Sequence, residues 1–280
     1  MKKLFLGSAT IVAILFSQGS IAQGEKGAYV NINAGYGLGN DSGEIVAYRW
    51  GIINSTQINP TTSKTELTKV ALGKGLNVGA TFGYMFNKYV GAELGVNYLL
   101  GGKTEGKQTE LSGDYSNSSI SAKMLQIKPT LVIAGGFSKV NPYAKFGVLV
   151  GIASVINLES EQRSGTDILN SNLKFSGSSS IGFHSGVGLL YSLNDKISLF
   201  GELNMVNLNY SPKKASYTEY SENGVNVLPL IDVADKEFEF VDSFTNDSSI
   251  PSNPAQPSKE VKATFNFGSL GLNIGMRYNF

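Results

Sequence analysis

The sequence predicts an all-β protein: a transmembrane, antiparallel, up-and-down barrel of eight strands, with ten as the alternative count. Three observations carry this prediction: apolar residues alternate with small or polar ones at period two, the connections alternate between short and long, and no apolar run after a short leader reaches helical spanning length. Period-two alternation puts one chemistry on each face of a strand, whereas a membrane helix needs about 20 consecutive apolar residues.

The leader comes first. Lys2 and Lys3 precede an apolar stretch from Leu4 to Phe16, and small residues follow at Ser20 and Ala22. This is the pattern of a secretory signal peptide, 1–22, cleaved after Ala22, and it leaves 23–280 as a single barrel domain. In the first strand Ala28, Val30, Ile32, Ala34, Tyr36 and Leu38 share one face, and Tyr29, Asn31, Asn33, Gly35 and Gly37 the other. The second repeats the pattern with Leu76, Val78, Ala80, Phe82 and Tyr84 outward, and the third follows after a tight Asn87-Lys88 turn with Leu94, Val96 and Tyr98 outward. A fourth strand is expected at 122–134, where Pro129 lacks a ladder donor and suggests a bulge. The fifth is read at 142–156, the sixth at 180–193, the seventh at 197–209, and the last alternates from Leu270 to Phe280.

Links at 87–88, 135–141 and 194–196 are short, and those near 40–73, 101–121, 157–178 and 210–262 are long. Three short periplasmic turns and four long external loops are the arrangement of an outer-membrane barrel, with both termini in the periplasm and the loops at the cell surface. The non-apolar face is mostly Gly, Asn, Ser and Thr, which suits a narrow interior better than the wet face of a soluble sandwich.

Composition narrows the function. The chain has no Cys, one His and a formal net charge of +1. Disulfides are thereby excluded, and no metal site, cofactor or nucleic-acid partner is expected. Gly35-Tyr36-Gly37-Leu38-Gly39 is a strand end, without the strand-to-helix context of a nucleotide loop.

The run Gly-Val-Gly-Leu-Leu-Tyr-Ser-Leu-Asn-Asp-Lys-Ile-Ser-Leu-Phe-Gly-Glu-Leu at 186–203 and the ending Gly-Leu-Asn-Ile-Gly-Met-Arg-Tyr-Asn-Phe at 271–280 resemble the small outer-membrane barrels of the opacity-protein, OmpA and OmpX type. The resemblance covers strands and turns, not the long connections. It implies that Ile274, Met276, Tyr278 and Phe280 form the signal read by the barrel-assembly machinery. Members of that family include adhesins, structural anchors and narrow channels, so the fold does not choose among roles.

Parity places Glu93, Lys128, Lys145, His184, Glu202 and Arg277 inside the lumen, where opposite charges must pair because an eight-stranded interior is only wide enough for side chains. A lumen plug is expected; the functional reading of the same charges is a gated pore with an ion-pair latch. His184 is the single histidine, and the adjacent Ser185 points to the other strand face, so a catalytic pair is not expected. Among the loops, Tyr48, Arg49 and Trp50 are either a partner contact or a segment folded onto the barrel rim, with the rim favoured. The apolar pieces at 228–233 and 238–241 either extend the wall as a hairpin or raise the count to ten. The expected role is structural or surface-interactive, adhesin- or anchor-like, without catalysis. The alternatives are a narrow porin-like channel, an accessory subunit of an envelope complex with a protein partner, and, last, a lipid- or peptide-processing enzyme using His184. Outer-membrane lipid or lipopolysaccharide and, during biogenesis, the assembly machinery are the expected partners.

Overall fold

The computed structural model describes residues 26–40, 49–245 and 253–280; the leader and Tyr48 lie outside the described residues. In chain order the strands are β1 (Gly27–Gly39), β2 (Ile53–Asn59), β3 (Thr62–Leu67), β4 (Gly75–Met85), β5 (Val90–Gly101), β6 (Thr104–Thr109), β7 (Tyr115–Ala134), β8 (Val140–Ser164) and β9 (Asp167–Ser176). They continue as β10 (Ser180–Ser192), β11 (Ile197–Asn207), β12 (Asn209–Tyr210), β13 (Lys214–Glu222), β14 (Val225–Asn226), β15 (Glu237–Val241), β16 (Ser258–Val261), β17 (Phe265–Asn266) and β18 (Ser269–Asn279).

A closed ring of antiparallel pairings runs β1–β4–β5–β7–β8–β10–β11–β18 and returns to β1. Closure leaves the ring without an unpaired edge, the condition for a sheet in hydrocarbon. The outward face is apolar and exposed: Ile32, Leu94, Ile181, Leu272 and Ile274 all show more than half of their surface, Ile181 as much as 73%. The short turns are fixed by asparagines. Asn87 Oδ1 accepts from the amides of Tyr89 and Val90, Asn194 Oδ1 from those of Lys196 and Ile197, and Asn141 Oδ1 from those of Gly136 and Phe137. Asn87 and Asn194 each mimic a backbone turn by bonding the amides two and three residues on, whereas Asn141 reaches back across its turn to the amides before it.

Two expectations are corrected. The long connections near 101–121 and 157–178 are not loops but largely strand, and the described parts of those near 40–73 and 210–262 carry shorter strands. β8 runs for 25 residues and β7 for 20, against the roughly 9–11 that a tilted strand needs to cross a bilayer. At about 3.3 Å per residue β8 is roughly 80 Å long. Its upper half pairs with β7 and β9, β9 pairs with β13, β13 with β15, and β15 with β16, while β6, β2 and β3 continue the sheet on the other side of β7. The sequence hides this because these segments are rich in Ser, Asn, Thr and Glu and have no sustained apolar face; their partners are the prolonged β7 and β8. Pro129 makes no bulge either. The β5–β7 register passes through Leu94↔Pro129 unbroken, and the β7–β8 register is the same on both sides of it. The irregularity falls instead between Lys123 and Leu125, opposite Ala153, whose φ of 48° inserts one extra residue into β8. Below that bulge the even residues Phe146, Val148 and Val150 face lipid. Above it the even residues Ser154, Ile156 and Leu158 are buried within.

Candidate functional site

The lumen is built from the inward positions of all the ring strands. β5 carries Glu93, which is buried and accepts hydrogen bonds from Tyr29 Oη at 2.7 Å and Asn31 Nδ2 at 3.2 Å. Lys145 Nζ on β8 bridges Glu93 at 2.9 Å and Glu202 at 3.3 Å, and Arg277 Nη2 reaches Glu93 at 3.4 Å. Arg277 Nε donates to Asn31 Oδ1 and Tyr143 Oη to Glu202. Four of the six charged positions expected in the lumen therefore meet in one cluster, and Tyr29, Asn31 and Tyr143 complete it. Parity would have found these three, since they stand on the same inward faces; attention to charge alone passed them over.

Glycine places the aromatic rings. Tyr29 lies directly opposite Gly83, Tyr143 opposite Gly188, and Phe200 opposite Gly275. A Cβ on any of these glycines would come within 2.3–2.6 Å of the facing ring. Each ring therefore lies flat along the neighbouring strand and offers its π face to the lumen. Arg277 sits over Tyr29 at 3.7 Å, and Lys145 over Tyr143 at 4.9 Å and Phe200 at 5.6 Å. The cations thus gain ring-quadrupole attraction in addition to their carboxylates.

Lys128 and His184 stand above this cluster without joining its ion pairs. His184 Nε2 lies 3.0 Å from Thr130 Oγ1, and no carboxylate bonds its ring among the described residues. Higher still, Asn97 Nδ2 donates to Asn77 Oδ1 and Asn77 Nδ2 to Gln126 Oε1, an amide ladder across three strands. Above that the interior turns apolar. Leu99, Met124, Leu149, Val206, Phe265 and Phe267 are buried in one cluster that extends to Phe175 and Phe240. The β12–β17 pair holds part of this cap across the mouth, through Tyr210↔Phe265. Trp50 joins it edge-on to Phe175 at 5.0 Å, and Arg49 stacks on Trp50 and bridges Glu260. Of the loop segment singled out in the sequence, Arg49 and Trp50 are thus folded onto the barrel mouth. The cap itself was not read from sequence, although the alternation Phe265-Asn266-Phe267 and the pair Val70, Leu72 carry its signal.

On the extended sheet a polar groove of about 540 Å³ is lined by Glu105, Lys107, Asn117, Glu159, Asn170 and Glu219, among others. Lys103 pairs with Glu159. Tyr115 donates to Glu161 at 2.8 Å, and that hydrogen bond holds the phenol above its ordinary range. On the last strand Ile274, Met276, Tyr278 and Phe280 all face outward, with the Tyr278 and Phe280 rings 5.3 Å apart.

A closed ring of antiparallel strands, exposed apolar outside and charged or polar inside, defines a β-barrel that lives in a membrane. The chain matches the family model of the outer membrane protein beta-barrel domain over residues 8–227 and belongs to that family; it is a transmembrane protein of the outer membrane. Among solved structures it is similar to Neisserial surface protein A (12% identity, TM-score 0.38, covering 92% of this chain and 100% of that one). It is also similar to OprG from Pseudomonas aeruginosa (17% identity, TM-score 0.43, 93% and 99%) and to the outer membrane protease OmpT from Escherichia coli (8% identity, TM-score 0.27, 94% and 99%). No curated protein matches the chain.

Proposed function

We propose that this protein is a closed, non-catalytic outer-membrane barrel with a structural or surface-interaction role, carried by the strands that continue beyond the ring. In this reading the eight ring strands are the membrane staves, the signal peptide is removed, the short turns and both termini face the periplasm, and the extended sheet stands at the cell surface. Lipopolysaccharide surrounds the apolar belt, and the assembly machinery engages Ile274, Met276, Tyr278 and Phe280.

The observation that supports a closed barrel is the filling of the lumen at two levels, by the Glu93–Lys145–Glu202–Arg277 cluster and by the Phe265/Phe267 cap. The cavity between them measures only about 50 Å³. A water-filled channel needs a continuous polar path, which the aromatic cap interrupts. Against catalysis, His184 lies against Thr130, and none of its ring nitrogens is oriented by an acid among the described residues. In planar bilayers the purified barrel is expected to give no stable single-channel steps. A large, long-lived conductance of the wild type overturns the reading.

A further inference from the structure

The cavity between the ion cluster and the amide ladder is lined by Lys128, and a smaller void of about 20 Å³ lies on the cap side of the same side chain. Lys128 has no carboxylate within 4 Å and no hydrogen-bond partner for its ammonium among the described residues. Three cations, Lys128, Lys145 and Arg277, share the lumen with two carboxylates, Glu93 and Glu202. Both carboxylates line the cavity; the two Glu93 oxygens are taken up by Lys145, Arg277, Tyr29 and Asn31, and Glu202 is held through Oε2 by Lys145 and Tyr143, with neither carboxylate within 4 Å of Lys128. One positive charge is therefore in excess, and protonation of His184 would only add to it. The side chains of Asn33, Thr81, Asn204 and Asn273 also line this space and hydrogen-bond to no protein group among the described residues. All four offer N–H or O–H donors.

An ammonium enclosed in a membrane barrel must be neutralised or well solvated, because a buried unpaired charge is strongly unfavourable. We propose that the lumen holds a monatomic halide, chloride in the cell, against Lys128 Nζ, with the amides of Asn33, Asn204 and Asn273 as further donors. The cavity volume suits this ligand: one water-sized position needs about 10–15 Å³ by the same measure, so 50 Å³ admits an ion and a few waters but no organic anion. The ion would act as a structural counter-ion, enclosed as the barrel closes, and the proposal is independent of what the extended sheet binds.

Protein refolded in sodium bromide and crystallised should show an anomalous bromine peak in contact with Lys128 Nζ. A cavity holding only waters at that position overturns the proposal. In solution, urea unfolding in lipid vesicles would be followed as chloride is replaced by gluconate at constant ionic strength. For a single saturated site, a tenfold fall in chloride should raise the wild-type unfolding constant about tenfold. Lys128→Met should remove that dependence. A flat wild-type response, or an equal slope in the variant, overturns the proposal; the bromide experiment needs no variant and stands if Lys128→Met does not fold.

Discussion

Glu93 is the hub of the lumen cluster, and Glu93→Gln tests whether that cluster is a paired, desolvated network. The substitution keeps the shape and an acceptor for Tyr29 but withdraws the charge that faces Lys145 at 2.9 Å and Arg277 at 3.4 Å. Removing one partner of a buried ion pair typically costs 3–5 kcal/mol, since the opposite charge is left uncompensated. Here Lys145 keeps Glu202 at 3.3 Å and both cations keep an aromatic face. The low end, about 3 kcal/mol, is therefore expected, which is roughly a hundredfold in the unfolding constant. The chain has one Trp, and Trp50 packs against Phe175 in the cap. Its fluorescence during urea unfolding in lipid vesicles reports loss of the cap, and heat-modifiable gel migration reports loss of the ring. The control is Glu66→Gln, which breaks an exposed pair with Lys64 at 2.6 Å and should leave the midpoint unmoved, as exposed pairs do. If Glu93→Gln shifts stability no more than the control, the lumen charges are solvated and the plug argument fails.

Ala153→Gly should stabilise the barrel by up to about 1 kcal/mol, because a left-handed φ disfavours any residue with a Cβ; the urea midpoint checks it, and a loss of stability would show the bulge is held by the Ala methyl. Gly83→Ala places a Cβ about 2.3 Å from the Tyr29 ring, and should cost roughly 1–3 kcal/mol by overpacking while also loosening the Arg277 contact; the same unfolding assay reads it. Phe280→Ser should lower the yield of heat-modifiable barrel in cells while leaving the unfolding midpoint of purified protein nearly unchanged, separating an assembly role from a stability role.

The ring was legible in the sequence because each membrane strand faces two unlike media. Lipid requires Ile32, Val78, Phe82 or Ile274 at every second position, and the narrow lumen requires Gly, Asn or a paired charge between them. Parity therefore located Glu93, Lys145, Glu202 and Arg277 on the inside, though not which of them touch. Contacts such as Lys145 to both Glu93 and Glu202 depend on strand stagger around the ring, which no single strand encodes. The extended sheet was illegible for the opposite reason. Segments such as Thr104–Thr109 and Asp167–Ser176 carry polar residues on both faces for much of their length and gain strand structure by pairing with β7 and β8. The apolar cap escaped notice because its members are scattered, with Ile52, Leu72, Tyr210 and Phe267 drawn from separate connections.

The extra residue at Ala153 acts as a phase switch. Within the bilayer β8 spells its lipid-facing side on even numbers; one residue later the same strand spells its interior on them, so two environments with different demands are written in sequence on one continuous element. Neither message constrains the other. Substitutions above the switch can redesign the extended sheet without disturbing the membrane register. Flattening the bulge while keeping the residue would swing Asn157 and Glu159 into the aromatic cap and turn Ile156 and Leu158 outward, inverting the upper half of the longest strand, whereas deleting the residue would leave both halves facing as they do.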